Sequence, residues 1–269
     1  MYELSEHDFI RLTSFIKNNF GINLTQKRQL ITSRMSSTLM QQGYKSFTEY
    51  IDHILSAATP DDIETLLNKL TTNYTYFMRE PAHYEFFQNT ILPDLVRKHE
   101  RDKVLSIWSA GCSSGEEPYN ISMILMEYLG SSAAAWDTRV LATDISQQAL
   151  AAAQQGTYDL PPTIPSSWRQ KYFVPAADGR RHTVAPKIRK NVIFHTFNLM
   201  NPIHFRLKFD VIFCRNVMIY FDQPTKDALI QRFYDATNPG GYLLIGHSET
   251  LNKDNSPYQY LQPATYRKT

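Results

Sequence analysis

Between Ser5 and Leu70 the apolar side chains recur at helical spacing. Phe9, Leu12, Phe15, Ile16 and Phe20 form one such series, closed by Gly21 and opened by Ser5 with Asp8 three residues on, a capping box with aspartate in the acidic position. A second helix is predicted from Thr25 to about Met40, with Leu30, Ile31, Met35 and Leu39 inward and Gly43 as its stop. Ser46 and Glu49 make another capping pair ahead of Tyr50, Ile51, Ile54 and Leu55. Thr59-Pro60-Asp61-Asp62 opens a fourth helix, with Thr59 as N-cap, Pro60 in the first turn and two acids at the positive end of the dipole.

After Pro93 the period shortens. Val104-Leu105-Ser106-Ile107-Trp108 is a short apolar run, followed by a small-residue loop from Ser109 to Gly115 and a helical stretch to Leu129. Arg139 to Asp144 is a second strand ending in an acid, with a helix from Ser146. Val192 to Phe197 and Phe209 to Cys214 are further strands, and Pro239-Gly240-Gly241 reads as a turn leading into Tyr242-Leu243-Leu244-Ile245. Strands alternating with helices predict an α/β fold with a parallel sheet and crossover helices. Between Gly156 and Lys190 the rhythm breaks: five prolines and the pair Asp178-Gly179 predict a small antiparallel excursion.

Composition adds exclusions. With 269 residues, 42% hydrophobic and 20% charged, the chain has the make-up of an ordinary globular protein of one large or two modest domains. A formal charge of +2 gives no argument for nucleic acid or an anionic membrane. Two cysteines, Cys112 and Cys214, without metal-ligand spacing, fit a reducing compartment and predict neither disulfide nor zinc site. The beginning of the chain has no basic, apolar leader, and no charge-free run is long enough to span a bilayer, so a cytoplasmic location is expected.

In an open α/β sheet, ligands lie beyond the carboxyl ends of the strands. The loop from Ser109 to Gly115 occupies that place, and its small residues let backbone N–H groups approach a ligand. Glu116 and Glu117 follow at once; they would repel a pyrophosphate and suit an ammonium or sulfonium group. Asp144, at a strand end, is placed to take a ribose diol, and Asn198 and Asn216 fall on the same rim, where amides can match an adenine edge. Taken singly, the loop reads equally as a plain strand-helix turn, Asp144 as a helix cap and each asparagine as a turn residue. Their convergence on one edge is the signal.

Three stretches carry a closer likeness: Asn73-Tyr74-Thr75-Tyr76-Phe77-Met78-Arg79-Glu80, Ser109 to Tyr119, and Phe213-Cys214-Arg215-Asn216-Val217-Met218-Ile219-Tyr220-Phe221. Together with Ala142 to Ser146 and Pro239 to Leu243, in order along nearly the whole chain, they resemble the chemotaxis receptor glutamate methyltransferase (CheR) family. The resemblance implies an all-α N-terminal domain over residues 1–85, engaged in receptor docking. A Rossmann-like S-adenosylmethionine-dependent methyltransferase domain over 86–269 would follow, with an inserted antiparallel β subdomain at about 157–190. It implies that Asn73, Thr75 and Arg79 meet S-adenosylmethionine, Glu117 its methionine portion, Asp144 the ribose and Asn198 with Leu199 the adenine. Asn216 and Val217 would line the cofactor near the methyl, with Arg215 and Tyr220 flanking the reacting centre. Met78 departs from the aromatic residue usual there, a change of packing.

The same resemblance implies transfer of a methyl group to glutamate side chains of chemoreceptors, leaving S-adenosylhomocysteine. A carboxylate with an ordinary pKa of about 4.3 is already the nucleophile at neutral pH. Neither a general base nor a metal is then needed, in keeping with a sequence without a His-rich or Cys-rich cluster. Arg79 has two readings, a clamp on the cofactor carboxylate or a fork on the substrate glutamate, and Tyr220 either donates to a carboxylate or packs. Lys27, Arg28 and Arg34, with Arg11 and Lys17, read either as a solvated helix face or, by resemblance, as the docking surface for acidic receptor helices. The excursion at 157–190, with Arg180, Arg181, Lys187, Arg189 and Lys190, is either plain or a strand-adding site for a short C-terminal receptor peptide. A monomer is the expectation, and a small-molecule methyltransferase is the alternative function.

Overall fold

In the computed structural model, which describes residues 2–252 and 255–269, the chain divides into two compact units. One comprises the residues up to Asn73 together with Tyr220–Thr225; the other comprises Tyr74–Ile219 and Lys226–Thr269.

The first unit is built on four helices, α1 (Glu6–Phe20), α2 (Arg28–Gln42), α3 (Phe47–Ser56) and α4 (Pro60–Leu70). Their ends are set by the expected residues. Ser5, Ser46 and Thr59 each accept a backbone N–H three residues on; Gly21 and Gly43 close α1 and α2 in the left-handed region. α2 begins three residues later than Thr25, with Lys27 as an N-cap that makes no side-chain bond. Leu12, Ile16, Ile31, Met35, Leu39, Ile51 and Leu66 are fully buried, whereas Leu30 is half-buried. The short piece at Tyr220–Thr225 joins this unit through Asn23 N–H to Tyr220 O (2.7 Å) and the Lys17–Asp222 ion pair (2.7 Å).

The second unit starts earlier than the expected boundary near residue 85. α5 (Pro81–Phe86) runs through a widened turn at Phe87–Ile91 into α6 (Leu92–Lys98). Tyr84, Phe87, Ile91, Leu92 and Leu95 pack into the same core as Ile107, Val140, Val211 and Phe213, so this helix belongs to the sheet. Pro93, which has no N–H to donate, sits in the first turn of α6, and the widened turn precedes it.

The remaining elements are β1 (Ile107–Ala110), α7 (Glu116–Leu129), β2 (Val140–Asp144), α8 (Gln147–Gln155), β3 (Thr157–Tyr158), α9 (Ser166–Tyr172), β4 (Phe173–Pro175), β5 (His182–Val184), α10 (Pro186–Arg189), β6 (Val192–Thr196), β7 (Phe209–Cys214), α11 (Gln223–Ala236), β8 (Thr237–Ile245), β9 (Gln259–Gln262) and β10 (Thr265–Arg267). Seven strands form one sheet in the order β6-β2-β1-β7-β8-β10-β9. The pairs from β6 to β8 are parallel, and β10 and β9 add antiparallel. Chain order reverses between β1 and β7, the crevice where doubly wound sheets bind ligands. Successive residues of β1 serve opposite faces: Ile107 joins the α6–α7 core, and Trp108 stacks with Phe209 and Phe233 and donates Nε1–H to Thr143 Oγ1 (2.9 Å).

Two strand readings shift. The apolar run 104–108 contributes only its end to β1, because Ser106 N–H goes to the Asp210 carboxylate (3.0 Å) instead of a ladder carbonyl. Pro239-Gly240-Gly241 is no turn. It is an irregularity inside β8, where a Cβ at Gly241 would come 2.9 Å from Asp210 O, so the neighbouring backbone requires glycine. The excursion forms its own three-stranded antiparallel sheet, order β3-β5-β4, with Asp178 Oδ1 capping Arg180 N and Arg181 N in the β4–β5 turn. Phe77, Tyr119, Tyr158, Tyr172 and Phe173 pack it to α7. Among the described residues no helix is long and apolar enough to cross a membrane.

Candidate functional site

The site is assembled on the rim where β1, β2, β6, β7 and β8 end. After β1 the chain turns through Gly111, Ser113 and Gly115, all with positive φ, and enters α7 at Glu116. Asp144, the last residue of β2, is buried and accepts Ser113 N–H (2.8 Å) and Ser146 N–H (2.9 Å), one on each carboxylate oxygen. Burial pushes its carboxyl above the ordinary aspartate value despite these two donors. Phe197 N–H donates to Asp144 O (3.0 Å), so Asn198 leaves β6 directly beside Asp144. Asn198 Oδ1 accepts Met200 N–H (2.9 Å), and Leu199 is buried with its carbonyl held by Arg232 (2.7 Å).

The other half of the rim is organised by Arg215, at the end of β7. Only 7% exposed, it donates Nη1 to Glu117 Oε2 (3.0 Å) and to Tyr84 Oη (2.9 Å). Its Nη2 goes to Glu80 Oε2 (3.2 Å) and to the carbonyl of Arg79. Burial disfavours the guanidinium charge, but Tyr84, Glu117 and Glu80 outweigh it and raise the arginine's pKa. Ser109 Oγ donates to the second oxygen of Glu117 (2.8 Å). Asn216 follows in the left-handed region, φ 59°, sending Nδ2–H to Glu80 Oε1 (3.1 Å) and its own N–H to Glu249 Oε2 (2.9 Å). Gly246 N–H shares that Glu249 oxygen (2.6 Å), and a Cβ at Gly246 would lie 2.6 Å from Asn216 Nδ2. Burial raises the Glu249 carboxyl. For Glu80, burial is outweighed by the hydrogen bonds of Asn216 and His247 N–H and the charge of Arg215, so its pKa is lowered.

Sequence-expected residues thus fall into groups. Glu117, Arg215, Asn216 and the backbone of Arg79 form one network; Asp144, Asn198 and Leu199 form an adjoining group; Val217 packs on Gly111. The Arg79 side chain is half-buried, donates to Tyr74 O (2.8 Å) and lies 6.0 Å from the Tyr76 ring. Among the described residues no carboxylate lies within ion-pair distance of Arg79, in contrast to Arg215. Thr75 is half-buried in the same unit, and Met78 packs on the sheet core with φ 62°. Asn73 and Tyr220 belong to the helical unit, Tyr220 Oη lying 3.5 Å from Thr72 O. The basic side chains of that unit are mostly engaged: Arg28 with Glu6 (2.7 Å) and Leu4 O, Arg34 with Lys69 O (3.2 Å) and Thr71 O (3.0 Å). Lys27 is exposed.

The sequence reading missed Glu80, Tyr84, His83, His247 and Glu249. Gly246 to Glu249 follows a parallel strand of this sheet, the same signal that singled out Asn216. His83 and His247, far apart in sequence, meet edge to face with ring centroids 4.4 Å apart. Burial, then Arg215 and His247, lowers His83 to about 3, so it is neutral. Both cysteines are free and buried, with their thiols pushed up by burial. A cleft of about 450 Å³ between Tyr119, Gln154, Arg189 and Val192 opens at the start of β6, the end remote from Asn198.

The donor set fits S-adenosylmethionine. A small-residue loop gives close backbone approach, Asp144 offers a carboxylate for a diol, and Glu117 adds negative charge beside the loop.

Comparison with known proteins agrees. Residues 73–267 match the CheR methyltransferase, SAM binding domain, and residues 7–71 the CheR methyltransferase, all-alpha domain. A chemotaxis protein methyltransferase of Borreliella burgdorferi is 42% identical, covering 98% of this chain and 95% of the relative. A probable chemotaxis protein methyltransferase of Rhizobium etli is 36% identical over 94% and 97%. The chemotaxis protein methyltransferase Cher2 of Pseudomonas putida is 35% identical over 95% and 94%.

Proposed function

The chain belongs to the CheR methyltransferase family, and from that premise we propose that its acceptors are glutamate carboxylates of chemoreceptors. It is an S-adenosylmethionine-dependent methyltransferase of chemotactic adaptation. The single observation that carries the acceptor class is the difference between two arginines. Arg215 is engaged through both Nη atoms by Glu117, Glu80, Tyr84 and a carbonyl, whereas Arg79, next to Glu80, has no carboxylate partner among the described residues. A cation left without an anion at such a rim suits an anionic group, either the cofactor's carboxylate or the acceptor's.

When bound, S-adenosylmethionine supplies a methyl group activated on a sulfonium. Asp144 would hold its ribose, Asn198 and Leu199 its adenine, and Glu117 would face its positive end, with Asn73 and Thr75 contributing. Asn216 and Val217 would shape the wall near the methyl, with Arg215 steadying Asn216 through Glu80. A glutamate acceptor arrives already ionised, so no proton need be removed. As the methyl passes to a carboxylate oxygen, cation and anion neutralise each other, and rate comes from positioning in a dry cleft. Arg79 would position either the cofactor's carboxylate or the acceptor's, and Tyr220 would either donate to a carboxylate oxygen or pack. The acidic receptor helices would dock on the helical unit at Lys27, Arg28 and Arg34, and the β5-centred sheet has an edge on which a receptor's C-terminal peptide could add as a strand. A monomer needs no partner copy for any of these tasks. A small-molecule acceptor leaves the all-alpha match over 7–71 without a purpose.

The test is transfer of labelled methyl from S-adenosylmethionine to membranes bearing chemoreceptors, followed by mild alkali. Release of the label as methanol identifies an ester. Label that survives alkali would exclude a carboxyl ester and remove the glutamate assignment.

A further inference from the structure

Beside the methyl-transfer network, and sharing Glu80 with it, lie two histidines that methyl transfer does not use. Glu80 and His83 come from the start of α5, and His247 from the loop after β8. One ligating atom from each lies within 4.8 Å of the others. His83 is 1% exposed, yet neither Nδ1 nor Nε2 has a hydrogen-bond partner among the described residues. Buried polar atoms are nearly always satisfied, so two orphans on one imidazole call for a cause. His83 Nδ1 stands 3.4 Å from Glu80 Oε2. A tetrahedral zinc-like ion, with bonds of about 2.0–2.2 Å, separates its ligands by about 3.4 Å, the separation this pair already has. His247 is exposed, which gives an ion an entry path and leaves room for water as a fourth ligand.

We propose that Glu80, His83 and His247 form a binding site for a divalent transition-metal ion. Two imidazoles and one carboxylate select zinc, cobalt, nickel or iron over magnesium or calcium. The ion would share Glu80 Oε2 with Arg215 Nη2, now 3.2 Å away, and with His247 N–H at 3.3 Å. Metal and Arg215 therefore compete for this oxygen. Arg215 can yield, since Glu117, Tyr84 and the Arg79 carbonyl hold it independently. Occupation would loosen the link between Arg215 and Asn216 that runs through Glu80, so the site connects metal availability to the shape of the methyl-transfer rim.

The probe is Co(II), titrated into the untagged full chain and followed by visible absorption and calorimetry. The expected result is one ion per chain with the intense d–d band of a tetrahedral site, and no heat with Mg(II). His247→Ala removes an exposed ligand and should leave the melting temperature of the metal-free protein unchanged. Since losing even an outer partner of a metal ligand costs about 10–100-fold in affinity, loss of this ligand should cost at least as much. His83→Gln should weaken binding similarly, and its circular dichroism shows whether it folds. No band and no heat in the parent protein overturns the site, as does equal affinity in parent and His247→Ala.

Discussion

Gly111 and Val217 meet across the crevice between β1 and β7: a Cβ built on Gly111 would lie 2.4 Å from Val217 Cγ2. The loops that follow the two strands are therefore packed on each other, and Gly111, at φ 83°, satisfies both the contact and the backbone. Any side chain there must displace Val217, the residue next to Asn216.

Gly111→Ala is expected to cost about 1–2 kcal/mol from the left-handed backbone alone, with overpacking added. Thermal unfolding should fall, and S-adenosylmethionine binding should weaken by calorimetry. Gly111→Ala with Val217→Ala should recover part of the binding but not the backbone cost. Full recovery of both would mean that the φ angle is not strained.

Asp144 tests the cofactor rim. Loss of its charge in Asp144→Asn removes charge-assisted hydrogen bonds worth about 1.5–3 kcal/mol, an affinity loss of roughly 10- to 100-fold. Its pH dependence has a definite sign. Burial raises the pKa, so the carboxylate protonates above the usual aspartate value of about 3.9, and affinity should fall as pH drops through that raised value. Calorimetry at descending pH checks this; an affinity flat to pH 4 in the parent would exclude Asp144 as the ribose ligand.

Arg215 is buried against two carboxylates, and removing one member of such an arrangement leaves charge without compensation. Arg215→Met should destabilise the sheet unit by about 3–5 kcal/mol. Arg215→Lys keeps the charge but lacks the fork that reaches Glu117, Tyr84, Glu80 and the Arg79 carbonyl at once, so it should unfold less readily yet still lose kcat/KM. Urea unfolding and methyl-transfer rates separate the two effects.

What the sequence made legible follows the range of the forces involved. Helix starts at Ser5, Ser46 and Thr59 are local hydrogen bonds over three residues, and they stand where the pattern put them. Asp144, Asn198 and Asn216 could be found because strand ends in a parallel sheet point to one rim. Glu80, His83, His247 and Glu249 could not, since their meaning depends on α5 packing against the sheet and on β8 ending beside it. The change of unit at Asn73 was hidden for the same reason: Pro81 to Lys98 is helical like the first four helices, and only its partners assign it to the sheet.

Asp62 gives the helical unit a measurable pH response. It accepts from His53, from Thr59 N–H and from the Thr59 hydroxyl, and these hold its carboxyl at about 2. A depressed carboxylate contributes stability that is fully present above the unfolded value near 3.9 and lost as pH falls through the folded one. Asp62→Ala should therefore cost about 1 kcal/mol near neutrality, as cap losses do, and the difference should vanish toward pH 2. Equal melting temperatures at neutral pH would show the box to be without effect.

The docking proposal is best tested at Lys27. Replacing Arg34 by Glu would remove donors from the Lys69 and Thr71 carbonyls at the end of α4, so a loss of methylation could reflect a damaged helix instead of a lost receptor contact. Replacing Arg28 would break its pair with Glu6. Lys27 is exposed and makes no cap, so Lys27→Glu should leave the melting temperature unchanged. If acidic receptor helices approach this face, the substitution should raise the KM for receptor about 2- to 5-fold, the size expected of an exposed charge pair. Added salt should shrink that difference, because exposed charges are screened within about 10 Å at 0.1 M. An unchanged KM at low ionic strength would remove Lys27 from the interface, and a change indifferent to salt would point to shape, not charge.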